Sequence, residues 1–340
     1  MNFEYSEPQT AAEGFFGGFF HISAFGRIEE GDDEKFKKFL ERVTPPPRTL
    51  VYINSGGGHV EAAIAIGRLI RQAWFSTSIG TYILDPQQPE DLIIPRRRIA
   101  GNCISAATLM FLGGRLRYLP DGSKFGVHQF SFKNPIPESI ERSQRLSATI
   151  AAYIVEMGIP PAFLELSAST RGDQVQFVDE EQLKKLKVIT GGMTEPTWAV
   201  ELHAEAMWVR GERDSLWGHG KVILVYSKTD GFAFVALVET MGRHDELMNF
   251  PLVEIIANEE EIRIDITSRC FRAPSGIYTM FSANISNNEA HILANSKSFG
   301  IQIRGSAQAE IFLGISAIST EGAEGKLQGL YKIGGSGNLF

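Results

Sequence analysis

The sequence predicts an α/β protein in two parts. Strands and helices alternate over residues 19–195, and a separate, mostly β domain of sandwich or barrel type follows over residues 196–340, with residues 1–18 as a loose N-terminal arm. Three observations predict this. Short apolar runs at residues 19–28, 50–53 and 76–83 alternate with segments whose apolar side chains recur at helical spacing, the order of a parallel sheet with crossover helices. After Gly191-Gly192 the pattern changes to short, β-branched, alternating runs punctuated by turns. At 340 residues, with 43% hydrophobic and 21% charged side chains, the chain is long enough for two cores and has the balance of a globular protein.

Charge and composition narrow the function classes. A formal charge of −7 gives no basic footprint for nucleic acid. No run approaches the roughly 18 apolar residues of a membrane helix, so no membrane partner is expected. The opening MNFEYSEPQTAAEG carries acids and no early Lys or Arg, unlike a secretory signal. Cys103 and Cys270 lie far apart without metal-ligand spacing, which points to buried thiols in a reducing, cytoplasmic setting. Neither a metal nor an organic cofactor is expected.

In order, residues 19–28 read as a strand. The segment GDDEKFKKFLERV reads as a helix capped by Asp32 or Asp33, with Phe36, Phe39, Leu40 and Val43 on one face and Pro45-Pro46-Pro47 as its stop. Residues 50–53 form a buried-type strand. The turn Asn54-Ser55-Gly56-Gly57-Gly58 follows, then a helix over residues 59–74. A strand over 76–83, an exposed loop over 86–90 and a lead into Ser105 precede an apolar helix at 106–112. Beyond it, a strand at 116–119 and a second one ending at His128 flank a Pro-Asp-Gly turn. Helices at 139–157, 163–169 and 179–186 precede a strand at 187–190. The β domain is expected to place Trp198, Trp208 and Trp217 in its core. Its His203, His219, His244 and His291 have no metal spacing, and its tail GGSGNLF reads as flexible.

Three segments carry chemistry. Glycines between a strand and a helix let backbone N–H groups at the helix start face an anion or a developing oxyanion. Gly56-Gly57-Gly58 lacks the GK[ST] and GxGxxG patterns of phosphate loops, which leaves an oxyanion turn or a purely structural turn. Ser105 at a strand-to-helix junction reads alone as an N-cap, or as a nucleophile with the Ala106 N–H beside it. His128 reads alone as a packed histidine.

Together these segments resemble the Clp protease proteolytic subunit and its relatives in the ClpP/crotonase superfamily. INSGGGHVEAAIAIGRLI is similar to that family's INSPGG strand–turn–helix, with Gly56 where the family has proline. GNCISAATLMFLGG resembles the nucleophile segment and GSKFGVHQF the segment ending in the catalytic His-Gln pair. The resemblance covers about residues 20–190. It implies a spiral of βαβ units and a serine-type endopeptidase acting on peptide or protein substrates. Its triad would be Ser105, His128 and Asp173, and its oxyanion hole the N–H groups of Gly57, Gly58 and Ala106. It implies a homo-oligomer as well, while the added β domain offers a surface for a partner protein. Asp173 sits about two residues further from the FVDEEQLKKL helix than the family pattern has it, and Asp179 or Glu180 there also reads as a helix cap. The competing readings are a Ser–Lys peptidase of the signal-peptide-peptidase branch using Lys124, crotonase-type acyl-CoA chemistry, a prophage head-maturation protease, and a catalytically silent scaffold.

Overall fold

The N-terminal residues pair rather than hang free. In the computed structural model, which describes residues 1–16, 19–84, 92–129, 138–172, 174–203 and 205–336, strand β1 (Asn2–Ser6) runs antiparallel to β2 (His21–Phe25), with helix α1 (Ala11–Phe16) between them. This corrects the expected loose arm, and the cause is specific pairing. The Met1 ammonium donates to Asp32 at 2.7 Å, and Phe3 packs on Phe36 with ring centroids 4.7 Å apart. The buried Glu13 carboxylate accepts from the Arg96 guanidinium at 2.5 and 2.8 Å and from the Gln9 and Ile94 N–H groups, both at 2.7 Å.

Helix α2 (Asp32–Val43) buries Phe36 and Phe39 as its spacing predicts. Its N-cap is Gly31 in the left-handed region, not Asp32 or Asp33, because the Asp32 carboxylate is already taken by Met1 and the Glu29 N–H. Strand β3 (Leu50–Asn54), α3 (Val60–Gln72) and β4 (Ser76–Ile79) follow. The expected single strand over 76–83 is two. Gly80, at φ 129°, turns the chain out of β4 into β5 (Thr81–Leu84), which pairs with β6 (Arg96–Ile99) in a separate ribbon. Only glycine fits there, since a Cβ would meet the Ile99 carbonyl oxygen at 2.5 Å. The expected loop over 86–90 lies outside the described residues.

Next come β7 (Asn102–Ile104), α4 (Ala106–Leu112), β8 (Arg117–Tyr118), β9 (Lys124–Val127), α5 (Glu138–Glu156), α6 (Ala162–Ala168), β10 (Gln176–Phe177) and α7 (Glu180–Lys185). One sheet has the order β1-β2-β3-β4-β8, parallel except at β1, and a second has the order β10-β9-β7. An isolated parallel bridge, Ser55 to Cys103, joins the end of β3 to β7. Asp179 is the side-chain cap of α7, accepting from the Gln182 N–H at 2.8 Å. Residues 187–190 are not a strand. The Lys187 and Val188 carbonyls instead accept from the buried Arg117 guanidinium at 2.8 and 2.7 Å.

Helices α3 and α4 pack at a glycine contact. A Cβ on Gly113 would lie 2.6 Å from the Gly67 Cα, and the Tyr153 hydroxyl closes the same contact by donating to the Leu109 carbonyl at 2.8 Å. All of α4 is buried, with Met110, Phe111 and Leu112 fully so.

Met1–Gly192 and Met193–Phe340 form two compact units. The second contains β11 (Thr197–His203), β12 (Ala206–Ser215), β13 (Gly218–Ser227), β14 (Gly231–Glu239), α8 (His244–Asn249), β15 (Leu252–Ala257), β16 (Ile262–Asp265), β17 (Phe271–Ser275), β18 (Tyr278–Asn284), α9 (Asn287–Asn295), β19 (Ser298–Arg304), β20 (Leu313–Ser319) and α10 (Glu324–Ser336). An antiparallel sheet of order β11-β12-β13-β14-β18-β17 and another of order β16-β15-β19-β20 share its core with α9 and α10. Helices therefore complete a unit expected to be nearly all β: Ala290, Leu293 and Leu327 are buried among sheet residues. Residues 334–336 of the expected flexible tail close α10, and 337–340 lie outside the described residues. Trp198 packs on Phe299, but Trp217 is 84% exposed beyond the end of β12 and is not a core residue.

Two measurements check this packing. Gly113→Ala overpacks the α3–α4 contact and should lower stability by about 1–3 kcal/mol in urea denaturation. The Arg96 hydrogen bond holds the Glu13 carboxyl down to about 2, from an ordinary 4.5. The pair therefore stabilises fully above pH 4.5 and fails as pH falls towards 2. Glu13→Gln should lower the urea midpoint at pH 7, and its difference from wild type should shrink across that acidic window.

Candidate active site

Strand β7 delivers Ser105 to the N-cap of α4 at φ 58°, ψ −130°, a conformation sparsely populated by residues other than glycine. Such a sharp strand-to-helix turn lifts a nucleophile clear of its own backbone. The Ser105 N–H donates to the Gly126 carbonyl at 3.0 Å, and its carbonyl accepts from the Thr108 N–H at 3.0 Å and hydroxyl at 2.7 Å. Its own hydroxyl makes no capping bond and has no hydrogen-bond partner among the described residues. The N-cap reading of this side chain therefore does not hold.

The glycine turn abuts this serine. The Ser55 N–H donates to the Asn102 carbonyl at 2.7 Å, and the Ile104 N–H donates to the Ser55 carbonyl at 3.0 Å. These bonds bring Gly57 so close that a Cβ on it would lie 2.7 Å from the Ser105 Cβ and 3.0 Å from the Ala106 nitrogen. Gly57 and Gly58 adopt φ 95° and 146°. Of the expected oxyanion donors, the Gly58 and Ala106 N–H groups have no acceptor among the described residues. The Gly57 N–H differs, donating to the Ser55 hydroxyl at 3.1 Å. His59 caps α3 by accepting the Ala62 N–H on Nδ1 at 3.2 Å.

His128 follows β9 and lines the same cavity, of about 430 Å³, as Ser105 and Ala106. No direct Ser105–His128 hydrogen bond is found among the described residues. Instead the ring Nδ1 lies 2.6 Å from the Gln129 carbonyl oxygen. The lining also includes the apolar Val60, Leu109, Ile150, Phe163 and Leu164. Ser143, Ser147 and Ser167 add hydroxyls, and none of the described lining residues is charged. Asp173, the expected third member, lies outside the described residues. Lys124 is exposed, with its Nζ 5.2 Å from the centre of the Phe177 ring, and does not line the cavity.

Neighbouring groups fix the frame without entering the cavity. Cys103 is fully buried, and burial pushes its thiol well up, so it is no competing thiolate nucleophile. At the far end of α4, Arg71 donates to the carbonyls of Leu112, Gly113 and Gly114 at 3.0–3.2 Å. Arg117 donates to Gly114 at 2.9 Å. Burial brings its guanidinium down to about 9, so it is still protonated at neutral pH. Residue patterns assigned no role to Arg71 and Arg117, and none to Gln129 beyond its place beside His128 in the His-Gln pair. Only the Gln after His128 stood in a quoted motif, and a main-chain carbonyl leaves no trace in residue type. Among the described residues no group of three or more His, Cys, Asp or Glu side chains converges on a metal position.

No protein-family model matches this chain, and no curated protein matches it.

The strain at Ser105 predicts a trade between stability and chemistry. Ser105→Gly should raise stability by about 1 kcal/mol in urea denaturation by relieving the positive φ. A variant that loses stability instead would show that the turn is not strained.

Proposed function

We propose that the chain is a serine peptidase that hydrolyses peptide bonds, with Ser105 as nucleophile and His128 as general base. The observation that carries this reading is the Ser105 hydroxyl, unpaired among the described residues, held on a strained strand-to-helix turn and lining one cavity with His128. As Oγ attacks the substrate carbonyl carbon, His128 takes its proton and then passes it to the leaving amine. Water hydrolyses the resulting ester by the same route in reverse. The unpaired N–H groups of Gly58 and Ala106 would receive the oxyanion, with Gly57 joining once its N–H leaves the Ser55 hydroxyl. Losing one such donor costs about 3 kcal/mol of transition-state stabilisation.

A ClpP/crotonase-like spiral is part of the same proposal. It is supported by the parallel order β2-β3-β4-β8 and by the bridges Ile28–Gly58 and Ser55–Cys103, which pass the chain from one strand–turn–helix unit to the next. A cytoplasmic homo-oligomer and a partner protein bound through residues 196–340 also belong to the proposal. The exposed Lys124, stacked on Phe177 away from the cavity, gives no support to a Ser–Lys pair. No helix among the described residues is long and apolar enough to cross a membrane.

A fluorophosphonate probe should label the wild-type chain at Ser105 and leave Ser105→Ala unlabelled. His128→Ala should slow labelling by about 10³-fold. Labelling that survives in Ser105→Ala defeats the assignment of the nucleophile, and a folded wild type that resists the probe favours the silent scaffold. Because no described lining residue is charged, peptides with Leu or Phe before the scissile bond should be cleaved at least about tenfold better than those with Lys or Asp.

A further inference from the structure

The hydrogen bond on the His128 ring points to a residue the triad scheme leaves out. We propose that Gln129 is a positioning residue for the hydrolysis: its main-chain carbonyl accepts a hydrogen bond from the His128 Nδ1–H and fills the orienting role assigned to the Asp173 carboxylate. The proposal rests on the Ser105–His128 reading above.

A neutral imidazole has one N–H and one lone pair, and the partner of one nitrogen decides the state of the other. Gln129 offers Nδ1 only a carbonyl oxygen, at 2.6 Å, and a carbonyl can only accept. The proton therefore sits on Nδ1 and the lone pair on Nε2, the tautomer that a general base for Ser105 requires. When Nε2 takes the Oγ proton, the other proton stays on Nδ1, still hydrogen-bonded to the Gln129 carbonyl. The same Nε2 proton then goes to the leaving amine, so the orienting bond is never broken.

Gln129 is itself held by two hydrogen bonds, and a third bond anchors one of its partners. The Gln129 N–H donates to the Thr170 carbonyl at 2.9 Å, and its side-chain amide donates to the Ala168 carbonyl at the end of α6. The Thr170 hydroxyl donates to the Gln176 side-chain oxygen at 2.8 Å. Gln176 opens β10 and is paired with Val127, the residue before His128. The bonds close a ring: β9 delivers the histidine, and the strand paired with β9 anchors the segment that holds the acceptor. The residue that carries the acceptor is thus held by its own N–H and by its side chain, without a charge. One Nδ1 proton satisfied in this way leaves no second donor on that nitrogen for a carboxylate.

The test compares Asp173→Asn with two changes at Gln129, reading fluorophosphonate labelling of Ser105 and peptide turnover across pH. Asp173→Asn should label within about twofold of wild type and leave the acidic limb of the rate–pH curve unmoved, whereas loss of a working triad carboxylate costs about 10⁴-fold. Gln129→Glu matches the side chain in size but cannot donate to Ala168 once ionised. It should lower kcat about tenfold at unchanged KM, and Gln129→Lys, which restores a donor of similar reach, should recover most of that loss. In Ser105→Ala protein, ¹⁵N spectra should show His128 protonated on Nδ1 and bare on Nε2, with or without Asp173→Asn, a readout independent of activity.

A labelled wild type whose Asp173→Asn variant falls by orders of magnitude, shifts its acidic limb or switches tautomer overturns the role of Gln129 and leaves the hydrolase reading standing. A folded wild type that cannot be labelled brings both down together.

Discussion

Two main-chain hydrogen bonds set the geometry of the candidate site: Ser55 N–H to Asn102 and Ile104 N–H to Ser55. They join the end of β3, where the glycine turn begins, to β7, where the serine turn begins. The Asn54 side-chain oxygen adds a third contact by accepting the Asn102 N–H at 3.0 Å. Because main-chain bonds fix position without regard to side-chain type, two turns from different sheets meet at a defined separation. The result is the 2.7 Å clearance that only glycine at 57 can satisfy. Neither half makes a site alone: without Gly57 and Gly58, Ser105 is a strained cap, and without Ser105 the glycines are a turn.

Strain at Ser105 persists only if its surroundings over-determine it. Helix α4 supplies that rigidity. It is seven residues long, too short to be stable alone, and its stability comes from burial on every side. Tyr153 fastens its middle, while Arg71 and Arg117 occupy the carbonyls at its end, where positive charge also complements the helix dipole. Burying Arg117 is costly, as its lowered pKa reflects, and its carbonyl partners at Gly114, just past α4, and at residues 187–188 offset that cost. The arginine thereby ties the end of α4 to the segment at residues 187–188.

Local patterns were legible in the sequence and long-range partners were not. Helix α2 could be read from Phe36 and Phe39, and the elements flanking Ser105 from Gly101 and Gly113-Gly114. The arm could not, because its strand exists through Met1 meeting Asp32 and Glu13 meeting Arg96, contacts 31 and 83 residues apart. Gly80 was visible but carried no sign that a second ribbon would approach it. In the second unit, α9 and α10 mix small, polar and glycine residues, as in NNEAHILAN and EGKLQGLYKIGGS, so their apolar stripes are weak and the β-rich reading absorbed them. At the site, residue types gave Ser105, His128 and the glycines, whereas the Gln129 acceptor is a carbonyl every residue possesses.

Gly56 bears on how far the resemblance reaches. It stands where the ClpP-like motif has proline, and that departure kept a silent scaffold in play. Gly56 is exposed, its φ is not positive, and a Cβ on it would meet nothing within 4 Å. The turn therefore makes no demand for glycine at 56. It makes that demand at 57, against Ser105, and at 58, against the Ile28 carbonyl. Glycine in place of proline there loosens the unfolded chain, while the folded turn at 56 has room for either residue's Cβ. The turn's demand for glycine thus falls at 57 and 58, which abut Ser105 and Ile28, and Gly56 does not decide between a working site and a scaffold.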